Sequence, residues 1–218
     1  MTDEAPALAR GTHELRSSAG LLVDFGGVLT TNVFESFRAF CEDEGLEPEA
    51  FLNLFRTDVE ARRDLREVEV GRIEEDEFAR RICTRLGVED SQGFIDRLFA
   101  GMKPDRAMVA AVKRIKAAGI PTGLVSNSLG SGRYDREAFP ELFDGVVISG
   151  EVGFHKPQPE IFRMGAESIG VAPADCVFVD DLRENCEGAE AVGMTAILHR
   201  GAEKTLPELE RLLGLELR

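Results

Sequence analysis

Five short apolar runs, separated by longer polar or helix-patterned segments, set the main constraint on this chain. They are Leu21–Phe25, Pro121–Val125, Val146–Ile148, Cys176–Val179 and Thr195–Leu198. Each is continuous rather than alternating, as expected of strands buried on both faces of a parallel sheet. Helical spacing fills the gaps between the later runs. Met108, Val112 and Ile115 recur within 105–118, and Gly119 follows as a stop. Ile161, Phe162 and Ile169 do the same before Gly170, and the segment 183–192 stops at Gly193. Thr205-Leu-Pro-Glu208 reads as a capping box with proline in the first turn, ahead of a stripe of Leu206, Leu209, Leu212 and Leu213. Strand and helix in alternation predict an α/β fold with a doubly wound parallel sheet.

The alternation breaks once. From about 32 to 102 no strand pattern occurs, whereas Phe34, Phe37, Phe40 and Cys41, then Phe51, Leu54 and Phe55, then Phe78, Ile82 and Leu86, then Phe94, Leu98 and Phe99 recur at helical spacing. This predicts a helical insertion of about seventy residues after the first strand, its phenylalanines forming a core. Gly71 is placed at a turn between its helices, and the acidic run 74–77 at a solvated helix start. The expected division is a loose polar tail over 1–19, a sheet domain over 20–31 and 103–218, and the helical insertion over 32–102.

Composition narrows the classes. The chain of 218 residues carries a formal charge of −14, which repels nucleic-acid backbones and anionic membranes. No apolar run approaches the ~20 residues that span a bilayer. Cys41, Cys83, Cys176 and Cys186 form no Cys-x-x-Cys pair and read as buried reduced thiols, which fits a cytoplasmic location. Neither a monomer nor a homodimer is favoured by the pattern.

In an open parallel sheet, ligands collect at the carboxyl ends of the strands. The first run reaches Asp24, then Phe25-Gly26-Gly27-Val28; the second is followed by Ser126-Asn127-Ser128; beyond the third lies Gly153-Phe154-His155-Lys156-Pro157; the fourth is followed by Asp180-Asp181. Taken singly, these are ordinary turn, cap or surface residues. Taken in order, they bring three carboxylates, a hydroxyl and an ammonium to one edge. A carboxylate can attack phosphorus. A divalent cation held by Asp24 and Asp181 would remove the anionic repulsion, and hard oxygen ligands suit Mg²⁺. Lys156 adds positive charge for the transferring group, and Ser126 can bind phosphate oxygens. His155 reads as a loop histidine without a metal set. Arg62, Arg63 and Arg66 read first as a solvated helix face, with contact to an anionic substrate as the alternative.

Asp24-Phe-Gly-Gly-Val-Leu-Thr30, Val125-Ser-Asn127, Lys156-Pro157 and Val179-Asp-Asp181 resemble, in order, the four motifs of the haloacid dehalogenase-like (HAD) superfamily. The similarity runs from about residue 20 to the C-terminus. Within the superfamily it resembles the N-terminal phosphatase domain of soluble epoxide hydrolases and bacterial sugar-phosphate phosphatases. The resemblance implies a Rossmann-like HAD core with the helical insertion as a C1-type cap. It implies Asp24 as nucleophile and metal ligand, Ser126 and Asn127 as phosphoryl-binding, and Lys156 as the stabilising cation. Asp181 would bind Mg²⁺. Asp180 would be either a second acidic ligand or the partner that orients Lys156, with Asn185 supporting that loop. The main chain of Gly26 would complete the metal site.

Gly26 departs from the pattern, because many HAD phosphatases carry there a second Asp as general acid and base. Its loss leaves three readings: a leaving group good enough alone, another group such as His155 or a cap residue as acid, or slow or absent turnover. The expected function is a Mg²⁺-dependent phosphatase of a small phosphorylated metabolite acting through an aspartyl-phosphate on Asp24. The alternatives are a 2-haloacid dehalogenase-type hydrolase and a catalytically weak binding or regulatory protein.

Overall fold

The computed structural model describes residues 20–130 and 134–217; the tail expected over 1–19 lies outside them. The five apolar runs form β1 (Gly20–Val23), β2 (Thr122–Ser126), β3 (Gly145–Ile148), β4 (Cys176–Asp180) and β5 (Thr195–Leu198), all parallel, in the order β3-β2-β1-β4-β5. The chain winds outward from the central β1 through β2 to β3, then crosses back to β4 and β5. The topological switch therefore falls between β1 and β4, where this architecture opens a crevice at the strand carboxyl ends.

Successive side chains on a strand point to opposite faces, so each central strand feeds two cores. Leu21, Val23, Leu124, Val177 and Val179 pack on one face against Met108, Val112 and Ile115 of α6 (Arg106–Ala117) and Leu209 and Leu213 of α11 (Ala202–Leu213). Leu22, Val125 and Phe178 pack on the other face against Ile161, Phe162 and Ala166 of α9 (Pro159–Ser168) and Ala189 of α10 (Arg183–Ala191). β5 differs from the expectation of burial on both faces: Thr195 is exposed and only Ile197 is fully buried, as befits an outer strand with one neighbour. Two short helices, α7 (Phe139–Leu142) and α8 (Ser149–Val152), flank β3.

The capping box expected at Thr205 is corrected. The last helix begins a turn earlier, at Ala202, and Thr205 lies buried inside it. Its hydroxyl pairs with Nδ1 of the buried His199 at 2.9 Å instead of capping the helix, so a tertiary partner outcompetes the local one.

Between β1 and α6 lie α1 (Val33–Asp43), α2 (Ala50–Thr57), α3 (Val59–Glu69), α4 (Glu75–Leu86) and α5 (Phe94–Phe99). Phe37, Phe40, Phe51, Phe78 and Phe94 form a core of their own, separate from the two sheet cores. The connections entering and leaving this insertion run side by side: Thr30 bridges Pro104 antiparallel, Thr31 N–H donates to the Lys103 carbonyl at 2.7 Å, and Asp105 N–H donates to the Leu29 carbonyl at 2.8 Å. A second contact joins the end of α3 to α8. The Ser149 hydroxyl donates to the Glu69 carbonyl, and Gly71, at φ +70°, lies so close that an added Cβ would stand 2.6 Å from the Gly150 carbonyl. Only glycine satisfies both the left-handed conformation and that approach.

Candidate active site

Asp24 follows β1 directly, and its N–H still donates to the Val179 carbonyl at 2.9 Å, which locks it to the end of β4. The chain then turns sharply through Gly26 and Gly27. Gly27 takes φ +76°, and an added Cβ would meet an Asp181 carboxylate oxygen at 2.4 Å. The tight turn thus lets the loop after β1 lie against the loop after β4.

Lys156 arrives from the loop before α9 and is buried. Its ammonium lies 2.7 Å from Asp24 Oδ1 and 2.7 Å from Asp180 Oδ2. Burial alone would depress this ammonium, but Asp180 and Asp24 override it and hold it above the usual lysine range. Asp180 is fully buried and saturated: it accepts from Lys156, from the Leu182 N–H at 2.8 Å, and from the Asn185 amide at 3.0 and 3.1 Å. Asn185, read from the sequence as a loop support, therefore acts on Asp180. Asp181 is only half-buried and lines a cavity with Asp24 and Gly26.

Asp24, Asp180 and Asp181 each place a carboxylate oxygen within 4.8 Å of the others. Three carboxylates face one ammonium, which leaves the cluster short of positive charge. Burial pushes the Asp24 carboxyl up to about 7, with Asp180 and Asp181 adding to the rise against Lys156. Burial and then Asp180 push Asp181 up to about 6. A set of hard oxygen donors in deficit of cation is what a divalent ion such as Mg²⁺ fits.

Ser126 and Asn127 end β2 beside this cluster. The Asn127 side chain is engaged on both atoms: Oδ1 accepts from the Lys156 N–H at 2.8 Å, and the amide donates to the Lys156 carbonyl at 3.1 Å. The hydroxyl of the buried Ser126 accepts from the Tyr134 hydroxyl at 2.9 Å. Tyr134, the only tyrosine of the chain, was not anticipated; its place after a glycine- and serine-rich stretch of sequence was the one hint available. Burial pushes its phenol up to about 12, so it stays a proton donor.

A cavity of about 310 Å³ connects Asp24, Gly26, Asn127, Lys156, Asp181 and Asn185 to the insertion. From the insertion it takes Val33, Phe34, Phe37, Phe51, Leu52, Phe55, Leu65 and Phe99, together with one carboxyl, Glu69. Some of the phenylalanines assigned from spacing to a core thus also face the cavity. Glu69 is a second residue the sequence did not single out. Burial pushes it up to about 7 against the pull of Lys156. His155 lies beside it, Nδ1 3.8 Å from the Glu69 carboxylate and 2.8 Å from the Lys156 carbonyl. The three arginines do not line this cavity. Arg62 donates to the Phe55 and Arg56 carbonyls at the end of α2, Arg63 pairs with Glu60 at 3.7 Å, and Arg66 is exposed on an outer groove with His155.

The family model for haloacid dehalogenase-like hydrolases matches residues 19–193. This chain is a member of that family. Among curated relatives it is 28% identical over 153 residues to the bifunctional epoxide hydrolase 2 of Rattus norvegicus, covering 65% of this chain but 28% of that protein. It is 28% identical over 151 residues to the sesquiterpene phosphatase astK of Aspergillus oryzae, covering 67% of this chain and 77% of that one. The chain thus spans about a quarter of the rat protein's length. A HAD family enzyme of Bacteroides thetaiotaomicron, solved as a magnesium complex, superposes with a TM-score of 0.61 at 21% identity, over 85% of this chain and 94% of that one. At that identity the likeness bears on the fold alone. The sequence's family, its α/β fold and its assignment as a hydrolase all stand on these matches and on the sheet order. No helix among the described residues is long and apolar enough to cross a membrane.

Proposed function

We propose that this HAD hydrolase is a Mg²⁺-dependent phosphomonoesterase that acts on a small phosphorylated substrate through Asp24. The observation that carries the reading is the placement of Asp24: buried at the end of the central strand, 2.7 Å from Lys156 and grouped with Asp180 and Asp181. The phosphatase names of several relatives support it, the Aspergillus enzyme among them.

Asp24 and Asp181, with the main chain of Gly26, would hold the cation. When bound, it neutralises phosphoryl oxygens and removes the repulsion between phosphate and carboxylate. Asp180, already saturated, aims the Lys156 ammonium instead of binding metal. Lys156 favours the anionic form of Asp24, which the cation would complete, and balances charge as the Asp24 oxygen attacks phosphorus. Ser126 and the main chain at Asn127 cradle the phosphoryl group, while the Asn127 side chain fixes Lys156. The bond to the leaving oxygen breaks, an aspartyl-phosphate remains on Asp24, and water then releases phosphate. The helical insertion acts as a cap that covers the site.

The test is a panel of phosphate esters with Mg²⁺ present or chelated, and with Asp24→Asn as control. Phosphate release that needs both the cation and Asp24 supports the reading. Halide release from 2-haloacids without a divalent cation would favour the dehalogenase alternative. A biological role that survives Asp24→Asn would favour the binding-protein alternative.

A further inference from the structure

We propose that the group released from phosphate is apolar: the substrate is a phosphomonoester of a short alkyl or single-ring alcohol. This rests on the phosphatase reading and specifies its substrate class. The cavity is cleanly partitioned. Its polar lining apart from Glu69 comes from the sheet domain, around Asp24 and Lys156, where the phosphate would sit. Most of its apolar wall comes from the insertion, including Phe34, Leu52, Phe55, Leu65 and Phe99, with Leu129 from the loop after β2. These six side chains are half-buried: each packs against the insertion's core and still leaves apolar surface toward the cavity. α2 shows why. Phe51 is buried in that core while also lining the cavity, and Leu52 and Phe55 stay half-buried beside it, on a helix too apolar for one buried face.

A sugar phosphate suits this wall badly. Each hydroxyl would leave water without a new partner, because the insertion lends only one polar side chain. Arg62 on α3 already serves two carbonyls, and neither Arg63 nor Arg66 lines the cavity. At about 310 Å³ the cavity is at the small end of ligand pockets, a volume that a short chain or one ring fills.

A matched series of methyl, butyl, hexyl and dodecyl phosphates, with glycerol 3-phosphate and glucose 6-phosphate, tests this under Mg²⁺. We expect kcat/KM to rise up to about fourfold per methylene until the cavity is full, and the polyols to lag behind butyl phosphate. Polyol esters turned over as well as hexyl phosphate overturn the proposal. If no ester at all is hydrolysed, the phosphatase reading fails. The cavity is then judged by calorimetry with hexylphosphonate against methylphosphonate, and equal binding overturns the apolar site. Leu52→Asn should flatten the chain-length preference in either assay.

A second inference rests on a different observation, the position of the Glu69 carboxyl. We infer that Glu69 supplies the proton that the position at Gly26 lacks. Its side chain lines the same cavity as Asp24 and Gly26, and its main chain is fixed to α8 by Ser149. The groups around the carboxyl are Lys156, Glu184, Arg66 and His155. As Asp24 attacks, the leaving oxygen takes the electron pair of its bond to phosphorus and the Glu69 proton. The Glu69 carboxylate then takes a proton from the water that attacks the aspartyl-phosphate, which frees Asp24 and restores the acid. An alkoxide leaving group needs such a donor and a nitrophenolate does not. Glu69→Gln should therefore lose about a hundredfold or more on hexyl phosphate and less than about tenfold on p-nitrophenyl phosphate. Equal losses on both, or none on either, overturn the inference, and a thermal melt separates them from misfolding.

Discussion

Asn127 grips Lys156 by its main chain, accepting from its N–H at 2.8 Å and donating to its carbonyl at 3.1 Å. The two residues lie 29 positions apart and arrive from different strands, so this pair aligns the ammonium with Asp24. Asn127→Ala should cost about 1–3 kcal/mol of stability through the unpaired main-chain groups. It should also lower kcat by about tenfold to a hundredfold, with a smaller change in KM. Denaturant melts and steady-state kinetics on the same preparation check both.

Asp180 and Asp181 are neighbours with different tasks. Asp180 is fully buried against Lys156, Asn185 and the Leu182 N–H. Asp180→Ala leaves the Leu182 N–H and the buried Asn185 amide without their acceptor and Lys156 with Asp24 as its remaining carboxylate, and should cost about 1–3 kcal/mol of folding stability. Asp181→Asn should leave the melt nearly unchanged and raise the Mg²⁺ concentration needed for half-maximal activity. A metal titration and a thermal melt of the two variants separate these roles.

The carboxyl of Glu69 sits near 7 in the fold, against 4.5 as its ordinary value, chiefly because it is buried. Folding therefore favours its protonated form. The stability this confers is complete below about pH 4.5 and is lost as pH rises toward 7, by no more than about 3 kcal/mol. Glu69→Gln cannot lose a proton. The variant should gain on the wild type across that window, as read from the difference in unfolding free energy at matched pH.

Gly27 and Gly71 both hold left-handed backbone against a close neighbour. Gly27→Ala should drive the Asp181 carboxylate out of place and abolish Mg²⁺-dependent turnover. Gly71→Ala should loosen the end of α3 from α8, seen as faster amide exchange from α3 to the start of α4.

The sheet was legible because parallel strands buried on both faces leave unmistakable apolar runs, and because polar residues follow each run at the edge where ligands gather. Asp24, Lys156, Asp180 and Asp181 could be named from that alone, and the structure groups them. The division of labour between Asp180 and Asp181 could not be read, since it depends on which carboxylate Asn185 reaches. Glu69 was hidden for a similar reason. On a helix rich in charge, one glutamate looks like any other until the docking of α3 on α8 shows which one is turned inward. Phe55 packs on the core as its spacing suggests but also lines the cavity, because helical spacing reports an apolar face without saying whether protein or ligand covers all of it.

The insertion departs and returns through adjacent threads, joined where Thr30 meets Pro104. Its five helices could thus be exchanged, lengthened or resculpted as a cassette without disturbing a single rung of the sheet. Glu69 apart, the polar groups of the cavity belong to the sheet domain and most of its apolar wall to the insertion, so the two are free to drift at different speeds under different pressures.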